Sequence, residues 1–317
     1  MIGKEHTIYA FFPQKIALFL PPISDRSRLI MKVKGTLIPI GGNEDKGQHH
    51  EDENYSLEFI SEGILWHVVR EAGGVEAKIV VIPTASSIPV EVGQNYIEAF
   101  TKLGCSNVHV LDIRTREQAD SSENLEHLTQ ANGVMFSGGN QSRISEIIGG
   151  TEFHKIMAKR YRREKGFVIA GTSAGAMAMA REMIAGGSST EAFVKGAVRM
   201  KKGLGLIPKL TIDTHFIQRG RFGRLAEAVA KHPNLYGIGL AEDTGLIIKN
   251  CNTCVVIGSG MVILFDPSKL KHNNEKILDS GTPMSLINLK THVLANSDRF
   301  DIKKNKIKIL PVDAPFV

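Results

Sequence analysis

Within the run FVIAGTSAGAMAMA, at 167–180, an apolar stretch breaks at Gly171-Thr172-Ser173-Ala174-Gly175 and resumes as Ala and Met. The G-x-S-x-G spacing between a strand-like and a helix-like segment suits a serine nucleophile. A sharp strand-to-helix turn needs small neighbours and lifts the hydroxyl clear of the sheet. The unsatisfied N–H groups of the following helix then face the reacting centre, with the Ala174 amide placed to stabilise an oxyanion. A packed Gly-rich connection would look similar, so the rest of the chain has to supply a base and an acid.

A serine hydroxyl needs a base to react at neutral pH. Of the eleven histidines, His49 and His50 lie in the polar stretch GQHHEDENY, and His67 and His154 on helical patterns, where surface or boundary positions are expected. His215 differs, because it ends the buried-looking strand LTIDTHF. Two carboxylates could orient it. Asp213, two residues earlier, would share its face if the strand continued. Glu242, which with Asp243 closes the next strand, could reach it from a neighbouring strand end. The order Ser173, His215, Glu242 excludes an α/β-hydrolase, which places its acid before its histidine.

These residues need a scaffold that brings strand ends together. From Lys34 on, GTLIPIGG, KIVVIPTA, NVHVLDI, GVMFSGG, GFVIAG, LTIDTHF and YGIGLAED read as strands buried on both faces. Most are separated by helical patterns: SLEFISEGILWHVVREAGG, PVEVGQNYIEAFTKLG, NQSRISEIIGGTEFHKIMAKRYRREKG and GRFGRLAEAVAKH. The alternation predicts an α/β fold with a mostly parallel sheet covered by helices on both faces, whose sites form beyond the strands' carboxyl ends. After Thr244 closely spaced β-like runs predict an antiparallel extension. The expected organisation is an irregular extension over 1–33 and a single α/β domain over 34–317, β-rich from about 245.

Composition narrows the function classes. The chain has 317 residues, 42% hydrophobic and 23% charged, with net charge +6. Its Lys and Arg are scattered, with no basic block interleaved with aromatics, so nucleic acid is not an expected partner. Three cysteines imply no disulfide framework. The lone pair Cys251 and Cys254 lacks a second ligand pair for a metal and reads as structural. Pro13, Gln14 and Lys15 interrupt the apolar N-terminal run, and no apolar stretch is long enough to span a bilayer. A cytoplasmic, membrane-free protein is expected.

Together GGNEDK, GGNQ, GTSAGAMAM, DTHFIQRGRFGRL and GLAEDTGLII resemble the cyanophycinases, serine peptidases of the clan of aspartyl dipeptidase, over about residues 34–270. The resemblance implies a flavodoxin-like fold related to class I glutamine amidotransferases. It also implies Ser173 as nucleophile, His215 as base and Glu242 as acid, with Ala174 and an amide at Gly139 or Asn140 forming the oxyanion hole. Gln141, Asp213, Arg219 and Arg224 would line the substrate pocket. So would Thr214, which stands where the family usually has glutamine. The implied activity is hydrolysis of cyanophycin, an aspartate backbone carrying arginine on its β-carboxyls, to β-Asp-Arg dipeptides, with no metal or organic cofactor and with a homodimer as the expected assembly. Other β-aspartyl or acidic peptides are the alternative substrates. A catalytically silent binding protein on the same fold is the alternative from another class.

Overall fold

The structure is a computed structural model and describes residues 32–47, 57–187 and 193–316. The expectations for residues 1–31, His49 and His50 lie outside the described residues. In chain order the first half consists of β1 (Thr36–Ile40), α1 (Ile64–Glu71), β2 (Ile79–Ile82), α2 (Pro89–Lys102), β3 (Val108–Val110), α3 (Arg116–Ala119), α4 (Ser122–Gln130), β4 (Gly133–Phe136), α5 (Gln141–Ile147), α6 (Glu152–Arg163), β5 (Val168–Thr172) and α7 (Ala174–Ala178). Then come β6 (Glu182–Gly187), β7 (Val198–Lys202), β8 (Leu210–Asp213), α8 (Phe222–Lys231), β9 (Tyr236–Leu240), β10 (Thr244–Lys249), β11 (Thr253–Gly258) and β12 (Val262–Asp266). The C-terminal strands are β13 (His272–Asn273), β14 (Leu286–Ile287), β15 (Lys290–Leu294), β16 (Arg299–Asp301) and β17 (Lys306–Lys308).

The main sheet has nine strands in the order β17-β16-β11-β10-β1-β5-β4-β2-β3. The block from β1 to β3 is parallel, and β10, β11, β16 and β17 extend it antiparallel. Alternate residues of each central strand serve two different cores, as a period of two requires. Ile38, Ile79, Val81, Val168 and Ala170 pack with α1 and α2, whereas Leu37, Val80, Ile82 and Ile169 pack with α5, α6 and α7. The strand NVHVLDI is an exception to burial on both faces. Its core β3 is the sheet edge and only half-buried.

LTIDTHF and YGIGLAED do not continue the main sheet. β8 and β9 pair in parallel and form a second, four-stranded sheet with β12 and β15. This sheet contributes Ile212, Ile238, Leu240 and Leu264 to the core on the α7 side. The long helical pattern beginning NQSRISEII also differs from expectation. Gly149-Gly150 ends α5, with Gly150 at φ 79°, and Thr151 caps α6 by accepting the His154 N–H. Among the described residues no helix is long and apolar enough to cross a membrane.

Two features bring distant segments to one end of the main sheet. Ile40 is level with Thr172 in β5, and Phe136 with Gly171, so the loops after β1, β4 and β5 emerge together. β10 runs the other way, with Gly245 opposite Ile40, so the turn that precedes it arrives at the same end. That turn carries Glu242 and Asp243.

Candidate active site

Ser173 follows β5 directly and holds φ 48° and ψ −107°, a conformation an L-residue rarely adopts. Its N–H donates to Ile40 O at 2.9 Å, which ties the elbow to the neighbouring strand. The turn is tight enough that a Cβ at Gly175 would lie 2.7 Å from Phe136 Cβ, so only glycine fits there. His215, Asn43 and Asp243 also hold positive φ, at 48°, 47° and 42°. Strained backbone of this kind persists only where surrounding contacts over-determine it.

The imidazole of His215 connects serine to acid. Its Nε2 lies 3.0 Å from Ser173 Oγ and its Nδ1 lies 2.5 Å from Glu242 Oε1. A carboxylate only accepts, so Nδ1 carries the proton and Nε2 is free to accept the serine hydroxyl. The backbone holds the ring in place, since His215 N–H donates to Gly41 O and Phe216 N–H to Leu240 O. A Cβ at Gly42 would lie 2.5 Å from His215 Nε2, so that glycine is what lets the ring approach the serine. Glu242 accepts from Asn43 Nδ2 at 3.5 Å, and its N–H donates to Gln218 Oε1. Burial depresses the His215 pKa. The Glu242 hydrogen bond opposes that shift and the Arg219 charge adds to it, for a net pKa below the usual 6.5. The arrangement can therefore take a proton from Ser173 at neutral pH.

These groups open into a cleft of about 470 Å³, whose wall includes Gly42, Asn43, Lys46, Gly138, Gly139 and Arg219. Of the substrate-lining residues expected from sequence, only Arg219 is on this wall. Asp213 is fully buried, and Arg224 donates to both of its carboxylate oxygens while Arg221 Nη1 donates at 3.1 Å. Thr214 is also fully buried, and its hydroxyl donates to Met177 Sδ under α7, away from the cleft. Gln141 Nε2 donates to Ile184 O at 2.8 Å. Asn140 is corrected as an oxyanion donor, because its N–H already donates to Ala85 O at 2.9 Å and its side chain caps α5.

The Asp213 cluster makes a stability prediction. Removing one partner of a buried ion pair leaves the other charge uncompensated, at a cost of about 3–5 kcal/mol. Asp213→Asn is expected to lower the urea midpoint by a corresponding amount. A midpoint unchanged from wild type would show that the arginines are held by other contacts.

The sequence reading gave no role to Glu44, Lys46 or Tyr96, although GGNEDK placed the first two at a strand end. Glu44 is buried and accepts from Tyr96 Oη at 2.5 Å, from Thr172 Oγ1 and from Lys46 Nζ at 3.0 Å. Tyr96 occupies an apolar position of α2, and a tyrosine there needs a buried acceptor, which was the available signal. His67, expected near the surface, is buried instead, and burial with the Arg70 charge pushes its pKa down to about 4. His154 is a boundary residue, with Nε2 2.9 Å from Leu204 O. Cys251 and Cys254 are free thiols at the hairpin between β10 and β11, both pushed up by burial. Among the described residues no three His, Cys, Asp or Glu side chains are grouped to hold a metal.

Comparison with known proteins agrees with this architecture. The model of Peptidase family S51 matches residues 59–256. A cyanophycinase of Trichormus variabilis is 38% identical over 274 residues, 86% of this chain and 88% of that protein. A cyanophycinase of Synechococcus elongatus is 33% identical over 307 residues, 96% and 91% of the two chains. The crystal structure of a peptidase from an acI-B1 Actinobacterium superposes with a TM-score of 0.55 at 20% identity, covering 83% of this chain and 98% of that one, and shows the same fold. With a family model matched over residues 59–256 and relatives this similar over most of both chains, the chain belongs to Peptidase family S51 and is a serine-type peptidase.

Proposed function

We propose that this peptidase is a cyanophycinase, releasing β-Asp-Arg dipeptides from cyanophycin through an acyl-enzyme on Ser173. The observation that supports this reading best is the row Glu242–His215–Ser173 beside a cleft with Arg219 on its wall, in a chain whose relatives are cyanophycinases. His215 Nε2 takes the hydroxyl proton as Ser173 Oγ attacks the backbone carbonyl of an aspartyl residue. Negative charge develops on the carbonyl oxygen and is met by the amides of Ala174 and Gly139. The imidazolium, held by Glu242, then protonates the departing amine and the C–N bond breaks. Water, deprotonated by the same imidazole, attacks the ester carbonyl and restores the serine. Arg219 on the cleft wall suits a free carboxylate of a β-linked residue, since a guanidinium holds a carboxylate through paired hydrogen bonds.

Incubation with purified cyanophycin and mass analysis of the products tests the reading. Release of β-Asp-Arg is expected, with no cleavage of an α-linked Asp-Arg oligomer of equal length. Equal rates on the two linkages would overturn it in favour of a general peptidase.

The pH profile follows from the base. Only neutral imidazole can accept the serine proton, and burial depresses its pKa, so protonation sets in at a lower pH than for an ordinary histidine. kcat/KM is expected to rise with pH as one proton is lost, with the midpoint of the acid limb below 6.5. An acid limb centred above that value in a pH–rate titration would show that the Glu242 hydrogen bond and charge outweigh burial at His215.

A further inference from the structure

Lys46 and Glu44 form a built ion pair in the cleft wall that the mechanism above does not use. Glu44 is 2% exposed and already receives two hydroxyl donors, Tyr96 Oη and Thr172 Oγ1. Burial pushes its pKa up, but the Lys46 charge and these hydrogen bonds more than offset that, so it stays ionised. Lys46 Nζ lies 3.0 Å from Glu44 Oε1 and 3.2 Å from Glu44 O, and 5.3 Å over the Tyr96 ring. An ammonium has three donors, so one is left beyond the two directed at Glu44. The lysine side chain is 24% exposed and borders the same cleft as Ser173 and His215. Apolar residues in place of a buried ion pair are often as stable or more so, so stability alone gives little reason for this one. A lysine fixed by a buried acid and an aromatic face has lost much of its rotamer freedom before any ligand arrives, which favours anion binding.

From this geometry we infer that Lys46 is a second carboxylate-binding group of the cleft, separate from Arg219, and holds a free carboxylate of the substrate. This rests on the cyanophycinase reading, in which the substrate offers two such groups: the main-chain terminal carboxylate and the carboxylate of each β-linked arginine. Glu44 is the positioning residue, acting through Lys46.

The test is a double-mutant cycle on binding, run in the Ser173→Ala background so that no turnover intervenes. Calorimetry would compare a short β-Asp-Arg oligomer with one amidated at its main-chain terminus and one amidated at its arginine carboxylates. Each is titrated into protein with Lys46 intact and with Lys46→Gln, which removes the charge but keeps a donor toward Glu44. One of the two amidations is expected to weaken binding about tenfold when Lys46 is present and to have no effect in Lys46→Gln. The oligomer that shows this coupling identifies which carboxylate is held. Lys46→Arg, which keeps the charge beside Glu44, should retain the coupling. Independent, multiplying losses for both amidated oligomers would overturn the inference. Turnover of the unmodified oligomer by the wild-type protein is measured separately. Coupling without turnover would overturn the cyanophycinase reading alone, turnover without coupling the Lys46 assignment alone, and absence of both binding and turnover would overturn the two together.

Discussion

Ser173→Ala is expected to abolish dipeptide release while leaving the fold unchanged. The substitution removes one oxygen from a half-buried side chain at a turn already built for small residues. The backbone conformation, φ 48°, is no worse for alanine than for serine, because both carry a Cβ. The Ser173 N–H to Ile40 O bond and the Met177 N–H to Ser173 O bond are main-chain contacts and survive. What is lost is the atom that attacks, and with it the covalent route. Removing a catalytic serine elsewhere costs a factor of about 10⁶ in kcat, the residual rate coming from the oxyanion donors and binding alone. Circular dichroism and thermal melting should overlay those of wild type, while mass analysis of cyanophycin digests should show no dipeptide above background. A clean preparation with a tenth of wild-type activity would remove Ser173 as the nucleophile.

What the sequence made legible follows from what apolar pattern encodes. A continuous run such as KIVVIPTA reports burial on both faces, so the strands of the parallel block and the loops after them could be placed. The same pattern does not report which sheet a strand joins. LTIDTHF and YGIGLAED are just as apolar, and they belong to the second sheet because β9 pairs with β12, which pairs in turn with β15. The choice between Asp213 and Glu242 was hidden for a different reason. The period-two argument holds only while the strand continues, and β8 ends at Asp213. His215 then takes φ 48°, so Asp213 stays inside and the imidazole turns to Glu242. The arginines divide by the same break. Arg221 immediately precedes α8 and Arg224 lies in its first turn, three residues on and on the same side, where both reach Asp213, while Arg219 lies in the preceding turn and reaches the cleft. The Glu44–Lys46 pair was not legible because its partners, Tyr96 and Thr172, come from segments 52 and 128 residues away from Glu44 in the chain.

Glu242→Gln is expected to lower kcat by about 10⁴ with KM little changed, as loss of the orienting carboxylate does in other triads. The substitution preserves size and the position of the side-chain oxygen, so packing around the turn before β10 should hold. The electrostatics do not survive. Glu242 as a carboxylate requires the proton to sit on His215 Nδ1 and leaves Nε2 open toward Ser173 Oγ at 3.0 Å. A glutamine can present its amide N–H to Nδ1 instead, which selects the tautomer with the proton on Nε2. That imidazole donates to the serine and cannot act as its base. The imidazolium that forms as Ser173 attacks also loses its counter-charge, with Arg219 and Arg221 already acting against it. Glu242 lies on the catalytic row, whereas Asp213 lies beneath it and is paired to two arginines, so the two substitutions should separate cleanly. Glu242→Gln should melt near wild type and turn over very slowly. Asp213→Asn should be destabilised, with whatever activity it keeps coming from an intact Glu242–His215–Ser173 row. Steady-state kinetics on a β-Asp-Arg oligomer, paired with melting curves, distinguishes them. If Glu242→Gln stays within tenfold of wild type while Asp213→Asn loses four orders of magnitude without loss of stability, the imidazole is oriented by Asp213 in solution and the assignment of the acid is wrong.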